Sequence, residues 1–294
     1  MNYVTEQLVA QLKALADPAR LRIVTLCAQG ECSVSELTRV LGLSQPRVSQ
    51  HLKQLCAVGL LERFRDGHFV YYRLPAGGRH AALRRKLLAL IPADDERFAE
   101  DIERLRRLRG SGVGKTDDNG PGNRSLHRAL VELTVAAPVG DLVDIGSGHG
   151  RILKLLASRA RRAVGVDIDS DARRFARAEL LLAGLPNCTL RQGDMYRLPL
   201  GDNEFDTAIL DDVLFGAQRP ADAIAEAIRI LRPGGRLLLL AATGPQEFRD
   251  HTLLLASWFA DSGLRLAPAR PIPAKQPEWL LAVATKHDAA TAAA

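Results

Sequence analysis

The chain has 294 residues, 47% of them hydrophobic and 25% charged, with a formal net charge of +6. That composition is globular and excludes collagen-like or low-complexity chains, while the length favours two cores over one. No apolar run is longer than the six residues of Leu237 to Ala242, far too short to span a bilayer. MNYVTEQ carries no basic stretch followed by an apolar one, so a cytoplasmic protein with no membrane partner is expected.

Charge is unevenly spread. Residues 1–93 carry thirteen Lys and Arg against six Asp and Glu, whereas residues 111–294 carry twenty-two of each. A basic segment beside a neutral one suggests that the first meets a polyanion, although a solvated basic face would show the same surplus. Cys27, Cys32, Cys56 and Cys188 form no CxxC pair. They read as reduced, buried small hydrophobes, with a thiol sensor among the first three as the alternative.

In chain order, Leu8, Leu12 and Leu15 keep helical spacing, and Asp17-Pro18 opens a second helix that stops at Gly30. Short helices follow at 34–41 and 44–57, separated by Gly42. Two alternating runs, Leu60–Phe64 and Phe69–Leu74, flank Asp66-Gly67 and predict a hairpin. Helical periodicity returns at 81–90 and, heavily charged, at 94–109. Residues 110–122 (GSGVGKTDDNGPG) read as a flexible linker. Within it Gly114-Lys115-Thr116 imitates the end of a phosphate-binding loop, but Arg109 stands where that motif needs its first glycine. Beyond the linker, apolar runs at 140–145, 163–166, 207–210 and 236–241 alternate with helical segments, which predicts a parallel, doubly wound α/β sheet.

The helix at 44–57 turns Val48, Leu52 and Leu55 inward. Its other face presents Pro46, Gln50 and Lys53, flanked by Arg47, Ser49 and Gln54, with Gln45 at the start. Arg and Gln suit guanine and adenine edges in a major groove. With helix 34–41 and the turn at Gly42 this makes a helix-turn-helix, and the hairpin supplies a wing whose Arg63, Arg65 and Arg73 suit adjacent phosphates. Over residues 6–75 the sequence resembles the ArsR-type winged-helix repressors, through LKALADPARLRIVTLC and SVSELTRVLGLSQPRVSQHLKQLCAVGLLERFRDGHFVYYRL. The resemblance implies a homodimer, joined through helices near 3–16 and 80–91, on a palindromic double-stranded DNA operator. Many such repressors bind metal through a Cys-x-Cys pair. Here those positions look like Ser33 and Ser35, Cys32 is one residue off, and His80 lacks partners, so no metal site is expected.

In the second half Asp144-Ile145-Gly146-Ser147-Gly148-His149-Gly150 follows an apolar run and opens a helix. Its glycines let the backbone turn and approach a ligand whose anionic group lies near the helix start. Val164-Gly165-Val166-Asp167 then ends a strand with a carboxylate suited to two ribose hydroxyls. Gln192-Gly193-Asp194-Met195 follows the third strand, Phe205-Asp206 opens a fourth, and LRPGGRL leads into a fifth. This series resembles the class I S-adenosylmethionine-dependent methyltransferases over about residues 125–286. The resemblance implies Gly146, Gly148 and Gly150 around the methionine part with Asp144 beneath it. It further implies Asp167 on the ribose, Ile168 against the adenine, and Asp194 with Met195 at the adenine edge. For Asp144 and Asp206 a purely fold-fastening role fits as well.

The expected domains are residues 1–93 for DNA binding and dimerisation, 94–123 for a helix and linker, 124–286 for the ligand-binding sheet, and 287–294 for an unstructured tail. Catalytic residues stay unassigned. After the fourth strand stands LDDVLFG, with no Asn-Pro-Pro-Tyr for nucleic-acid amino groups and no Pro-Cys for cytosine carbon. Asp211 and Asp212 are candidate bases that also fit as exposed strand-end acids. The sequence favours a regulator sensing S-adenosylmethionine or S-adenosylhomocysteine, with a small-molecule methyltransferase carrying a DNA-binding domain as the alternative.

Overall fold

A computed structural model describes residues 3–66, 69–75, 77, 81–92, 95–110, 121–260 and 262–287. The wing tip Gly67-His68, His80, the connection 111–120 and the tail from 288 lie outside these. The chain divides into two compact units, 1–113 with 177–186, and 114–176 with 187–294.

The first unit is mainly helical, and its sequence dictates where each helix begins. Asp17 caps α2 (Pro18–Ala28), its carboxylate accepting from the Arg20 amide at 3.0 Å, after α1 (Tyr3–Leu15) has ended. After the two-residue strand β1 (Cys32–Ser33), Ser33 caps α3 (Val34–Leu41). The Glu36 amide donates to Ser33 Oγ at 3.3 Å and the Ser33 amide to Glu36 Oε2 at 2.7 Å, a reciprocal capping box. Gly42, at φ +66°, ends α3 in the left-handed conformation that glycine adopts without strain, and α4 (Gln45–Ala57) follows. Strands β2 (Glu62–Asp66) and β3 (Phe69–Arg73) pair antiparallel, and β1 adds to β3. Helices α5 (Ala81–Leu88) and α6 (Glu96–Gly110) follow. Val48, Leu52 and Leu55 of α4 are buried with Ile23, Leu26 and Leu37, as the periodicity predicts.

The charged helix read as part of a connection behaves differently. Helix α6 belongs to the first unit: Leu105 is fully buried, Arg22 grips Asp101 at 2.6 and 2.7 Å, and Arg109 donates to Glu36 Oε1 at 2.7 Å. Its polar composition hid these long-range ion pairs, which no spacing rule reveals.

The second unit begins with α7 (Pro121–Ala136), then alternates β4 (Asp141–Ile145), α8 (Arg151–Leu156), β5 (Arg162–Asp167), α9 (Ser170–Leu182, whose residues from 177 on count with the first unit) and β6 (Cys188–Gln192). It continues through β7 (Phe205–Asp211), α10 (Pro220–Ile230), β8 (Leu231–Ala242), α11 (Glu247–Phe259), β9 (Leu264–Leu266), β10 (Arg270–Ile272) and β11 (Trp279–Lys286). The sheet order is β10-β11-β8-β7-β4-β5-β6, with β9 on β11. The strands from β6 to β8 run parallel, while β11, β10 and β9 add antiparallel. Val143, Ile145, Val164, Val166, Ala208 and Leu210 are buried, which explains their uninterrupted apolar runs. Chain order reverses between β4 and β7, and open α/β sheets bind ligands beyond the carboxyl ends of such a pair. No helix among the described residues is long and apolar enough to cross a membrane.

Candidate functional sites

On α4 the structure leaves Gln45, Arg47, Ser49, Gln50 and Lys53 exposed, with Pro46 beside them, while Val48 and Leu52 are buried. Arg63 and Arg65 are also exposed, on alternate positions of β2, because Phe64 between them turns in to stack on Tyr71 with ring centres 5.9 Å apart. Arg73 departs from expectation. It is buried, donates to Glu31 Oε1 at 3.1 Å and Glu62 Oε1 at 2.5 Å, and lies over the Phe64 ring. An arginine so engaged holds the hairpin together and is withdrawn from the phosphate-facing set.

In the second unit Gly146, Gly148 and Gly150 all take positive φ, +73°, +49° and +80°. Their surroundings differ. A Cβ on Gly146 would stand 2.5 Å from Val213 Cγ1, whereas one on Gly148 would meet nothing within 4 Å. Gly146 therefore allows the loop to close on the segment that follows β7, and Gly148 borders open space. The Gly148 amide donates to Asp167 Oδ2 at 2.7 Å, and the Asp169 amide to Asp167 Oδ1 at 2.8 Å, so this carboxylate joins the tips of β4 and β5. Ile168 beside it is 69% exposed, an unusual position for a large apolar side chain. Asp194 is exposed, accepts from the Tyr196 amide at 2.9 Å, and precedes the half-buried Met195.

Asp144 is 1% exposed, and its Oδ1 has no hydrogen-bond partner; the buried Ser147 Oγ is likewise unpartnered. Burial, then the nearby Asp211 and Asp167 charges, push the Asp144 carboxyl well above its ordinary range, against the opposing pull of Arg151. Unsatisfied buried polar atoms are rare and call for a partner. Beside the open edge of Gly148 and the exposed Ile168, they fit a ligand with polar and apolar parts, as an adenosylated amino acid has.

Asp206 accepts from the Asp141 amide at 2.7 Å and pairs with Arg232 at 2.6 Å, fastening β7 to β4 and to the Arg-Pro-Gly-Gly turn. Asp212, at φ +56°, donates its amide to the Leu240 carbonyl and accepts from the Ala242 amide, both at 2.9 Å. Asp211 is held by Arg151 at 2.7 Å. Sequence reasoning missed Arg151, which stacks over the Trp279 ring 128 positions away, and His251, whose ring stacks on Phe215 at 4.1 Å. Each partner comes from a distant element, and no motif announces it.

A winged helix-turn-helix thus shares one chain with a Rossmann-like sheet of the class I methyltransferase type. Residues 17–63 match the bacterial regulatory proteins of the arsR family, and residues 143–239 match the methyltransferase domain family. The arsenic resistance transcriptional regulator ArsR1 of Pseudomonas putida is 52% identical over 101 residues, 33% of this chain and 75% of that regulator. The chain belongs to the ArsR family of bacterial regulators.

On the other side, the ubiquinone/menaquinone biosynthesis C-methyltransferase UbiE of Ectopseudomonas mendocina is 32% identical over 127 residues, 42% of this chain and 50% of UbiE. The chain spans about half the length of several relatives it matches. The N-methyltransferase NodS of Bradyrhizobium japonicum, solved with S-adenosyl-L-homocysteine, superposes with a TM-score of 0.50 at 18% identity. That likeness covers 62% of this chain and 97% of NodS, and shows the fold.

Proposed function

We propose that the protein is a transcriptional regulator whose second unit binds S-adenosylmethionine or S-adenosylhomocysteine as a sensed ligand. The observation that carries this reading is the state of the strand-end carboxylates. Asp211 is engaged by a guanidinium and Asp212 by the β8 backbone, so neither is a ready general base. The exposed face of α4, by contrast, keeps the residue types of a reading head. Arg47 and Gln50, with Gln45, Ser49 and Lys53, address base edges and nearby phosphates, and Arg63 and Arg65 address flanking phosphates. A homodimer formed through α1 and α5 sets two such heads on a palindrome.

In the ligand site Asp167 accepts from the ribose hydroxyls, Ile168 covers the adenine, and Asp194 and Met195 lie at its edge. Gly146, Gly148 and Gly150 surround the methionine part, with Asp144 beneath. S-adenosylmethionine, when bound, supplies a cationic sulfonium and a transferable methyl group. The second reading, methyl transfer to a small molecule, is favoured by His251. It is stacked on Phe215 in the segments after β7 and β8, and its buried Nδ1 has no partner. Titrating operator DNA without ligand and at saturating concentrations of each ligand separates the two. Sensing predicts curves displaced about 5- to 150-fold, with DNA shifting ligand affinity by the same factor. Three superimposable curves would leave a tethered enzyme.

A further inference from the structure

In the first unit one guanidinium reaches the start of β1, the end of β2 and the middle of β3. Arg177 is counted with that unit, although it lies inside the stretch 143–239 that matches the methyltransferase domain family. Its Nε donates to Glu31 Oε2 at 2.8 Å, its Nη2 donates to Asp66 Oδ2, and its guanidinium carbon stands 4.0 Å from the centre of the Tyr71 ring. Glu31 leads directly into β1, Asp66 ends β2 beside the wing tip, and Tyr71 lies in β3. All four side chains are buried. Arg109 of α6 joins the same clamp, donating to the Arg177 carbonyl at 3.5 Å and to the Glu31 carbonyl. Arg73, by contrast, holds Glu62 at the base of the hairpin.

We propose that Arg177 is a positioning residue for DNA binding: it sets the wing so that Arg63 and Arg65 meet phosphates, and the winged helix is incomplete without it. The proposal rests on the reading of α4 and the wing as a DNA-binding surface. A two-stranded hairpin is marginally stable by itself, and β1 adds only two residues to its edge. Such a hairpin takes its place from whatever grips it. Side chains alternate along β2, so Phe64 and Asp66 share one face while Arg63 and Arg65 share the other. The clamp therefore engages one face and leaves the two arginines exposed on the opposite one. Asp66 follows Arg65 directly, so a shift of the clamped residue carries Arg65 with it. A planar fork over an aromatic ring fixes the angle between two carboxylates, which a single ammonium does not. Displacing the wing loses phosphate contacts, which carry no sequence information, and leaves base reading by α4 intact.

The test is a salt series of DNA affinities for the full chain, on a duplex from its own promoter region and on a random duplex of the same length. Arg177→Met should weaken both about 10-fold and lower the salt slope by about two, one for each wing arginine, with the ratio between duplexes kept within about twofold. Arg177→Lys, which keeps the charge but not the fork, should recover part of the loss. Adding Arg65→Ala to Arg177→Met should weaken binding no further, because that contact is already gone. Should Arg177→Met not fold, Asp66→Asn carries the same test, since it leaves Arg177 on Glu31 and loosens the grip beside the wing tip. It too should lower the slope and be non-additive with Arg65→Ala. An unchanged slope in the folded variant, losses that add to that of Arg65→Ala, or a fall in promoter preference as large as the fall in affinity overturns the proposal. A wild-type chain that binds neither duplex would instead overturn the DNA reading itself, and the positioning role with it.

Discussion

On α4 the polar side chains proposed to read DNA stand exposed on a helix whose apolar face is fixed by Val48, Leu52 and Leu55. At the tips of β4, β5 and β7 the acidic residues proposed to meet a ligand are already at work. Asp167 takes two backbone amides and Asp211 a guanidinium. In the first region recognition is laid over a finished fold. In the second, the groups that hold the loops are those the ligand would touch. Substitutions on α4 should therefore alter binding alone, whereas substitutions at the strand tips should alter stability and binding together.

The glycine loop offers the largest test of that difference. Gly146→Val must place a side chain against Val213 at a positive φ, and overpacking plus backbone strain should cost about 3–5 kcal/mol. Gly148→Val meets open space, so it should cost only about 1–2 kcal/mol of stability for its φ while blocking the ligand. Thermal unfolding and ligand calorimetry on both variants separate the effects. Equal melting points would mean that Gly146 is not packed as described.

Asp167→Ala comes next. It should weaken ligand binding by about 1.5–3 kcal/mol and also loosen the loop, since the Gly148 and Asp169 amides lose their acceptor. A variant that binds as tightly as wild type would remove Asp167 from the ribose.

Asp141 gives a purely structural contrast. Burial opposes its ionisation, but hydrogen bonds from Arg161 and Arg232, with Arg162 nearby, hold its carboxyl down at about 2. A carboxyl depressed in the folded state stabilises above its unfolded value and loses that contribution as pH falls. About 2 kcal/mol should therefore disappear between about pH 4 and pH 2, and Asp141→Asn should lack this slope. Denaturant titrations across that range read it directly. Parallel slopes for the two proteins would dissociate Asp141 from acid unfolding.

Much of this was legible in the residues. Val48, Leu52 and Leu55 announced the helix that carries the reading face, and the DIGSGHG and GVD segments announced two adjacent strand tips. What stayed hidden was pairing at a distance. Nothing local to Arg73 shows that Glu31 lies 3.1 Å away, and nothing near Arg151 points to Trp279. Periodicity reports which way a side chain faces, and a charge is placed by whichever element arrives opposite it. That is why hairpin context alone groups Arg73 with Arg63 and Arg65, and only the arrival of Glu31 separates it from them.

Those hairpin arginines supply the smallest and most discriminating test. Arg65 is exposed on β2, so Arg65→Ala should change stability by less than about 0.5 kcal/mol. It should weaken all duplexes alike and lower the salt slope of DNA binding by about one. Arg47→Ala should instead erode preference for the operator over random duplex by about 1–3 kcal/mol, again with little effect on folding. Arg73→Ala should do the reverse of Arg65→Ala. It strips one of two guanidinium partners from Glu31, a carboxylate only 2% exposed on its side chain that Arg177 still holds at 2.8 Å, and should destabilise the first unit by about 1–3 kcal/mol. Where the protein remains folded, its salt slope should equal that of wild type. Measuring the midpoint of unfolding and the salt dependence of DNA affinity on the three variants places each arginine on one side of the division. An Arg65 variant that melts early, or an Arg73 variant with a reduced salt slope, would show that the wing, like the strand tips, uses the same charges to fold and to bind.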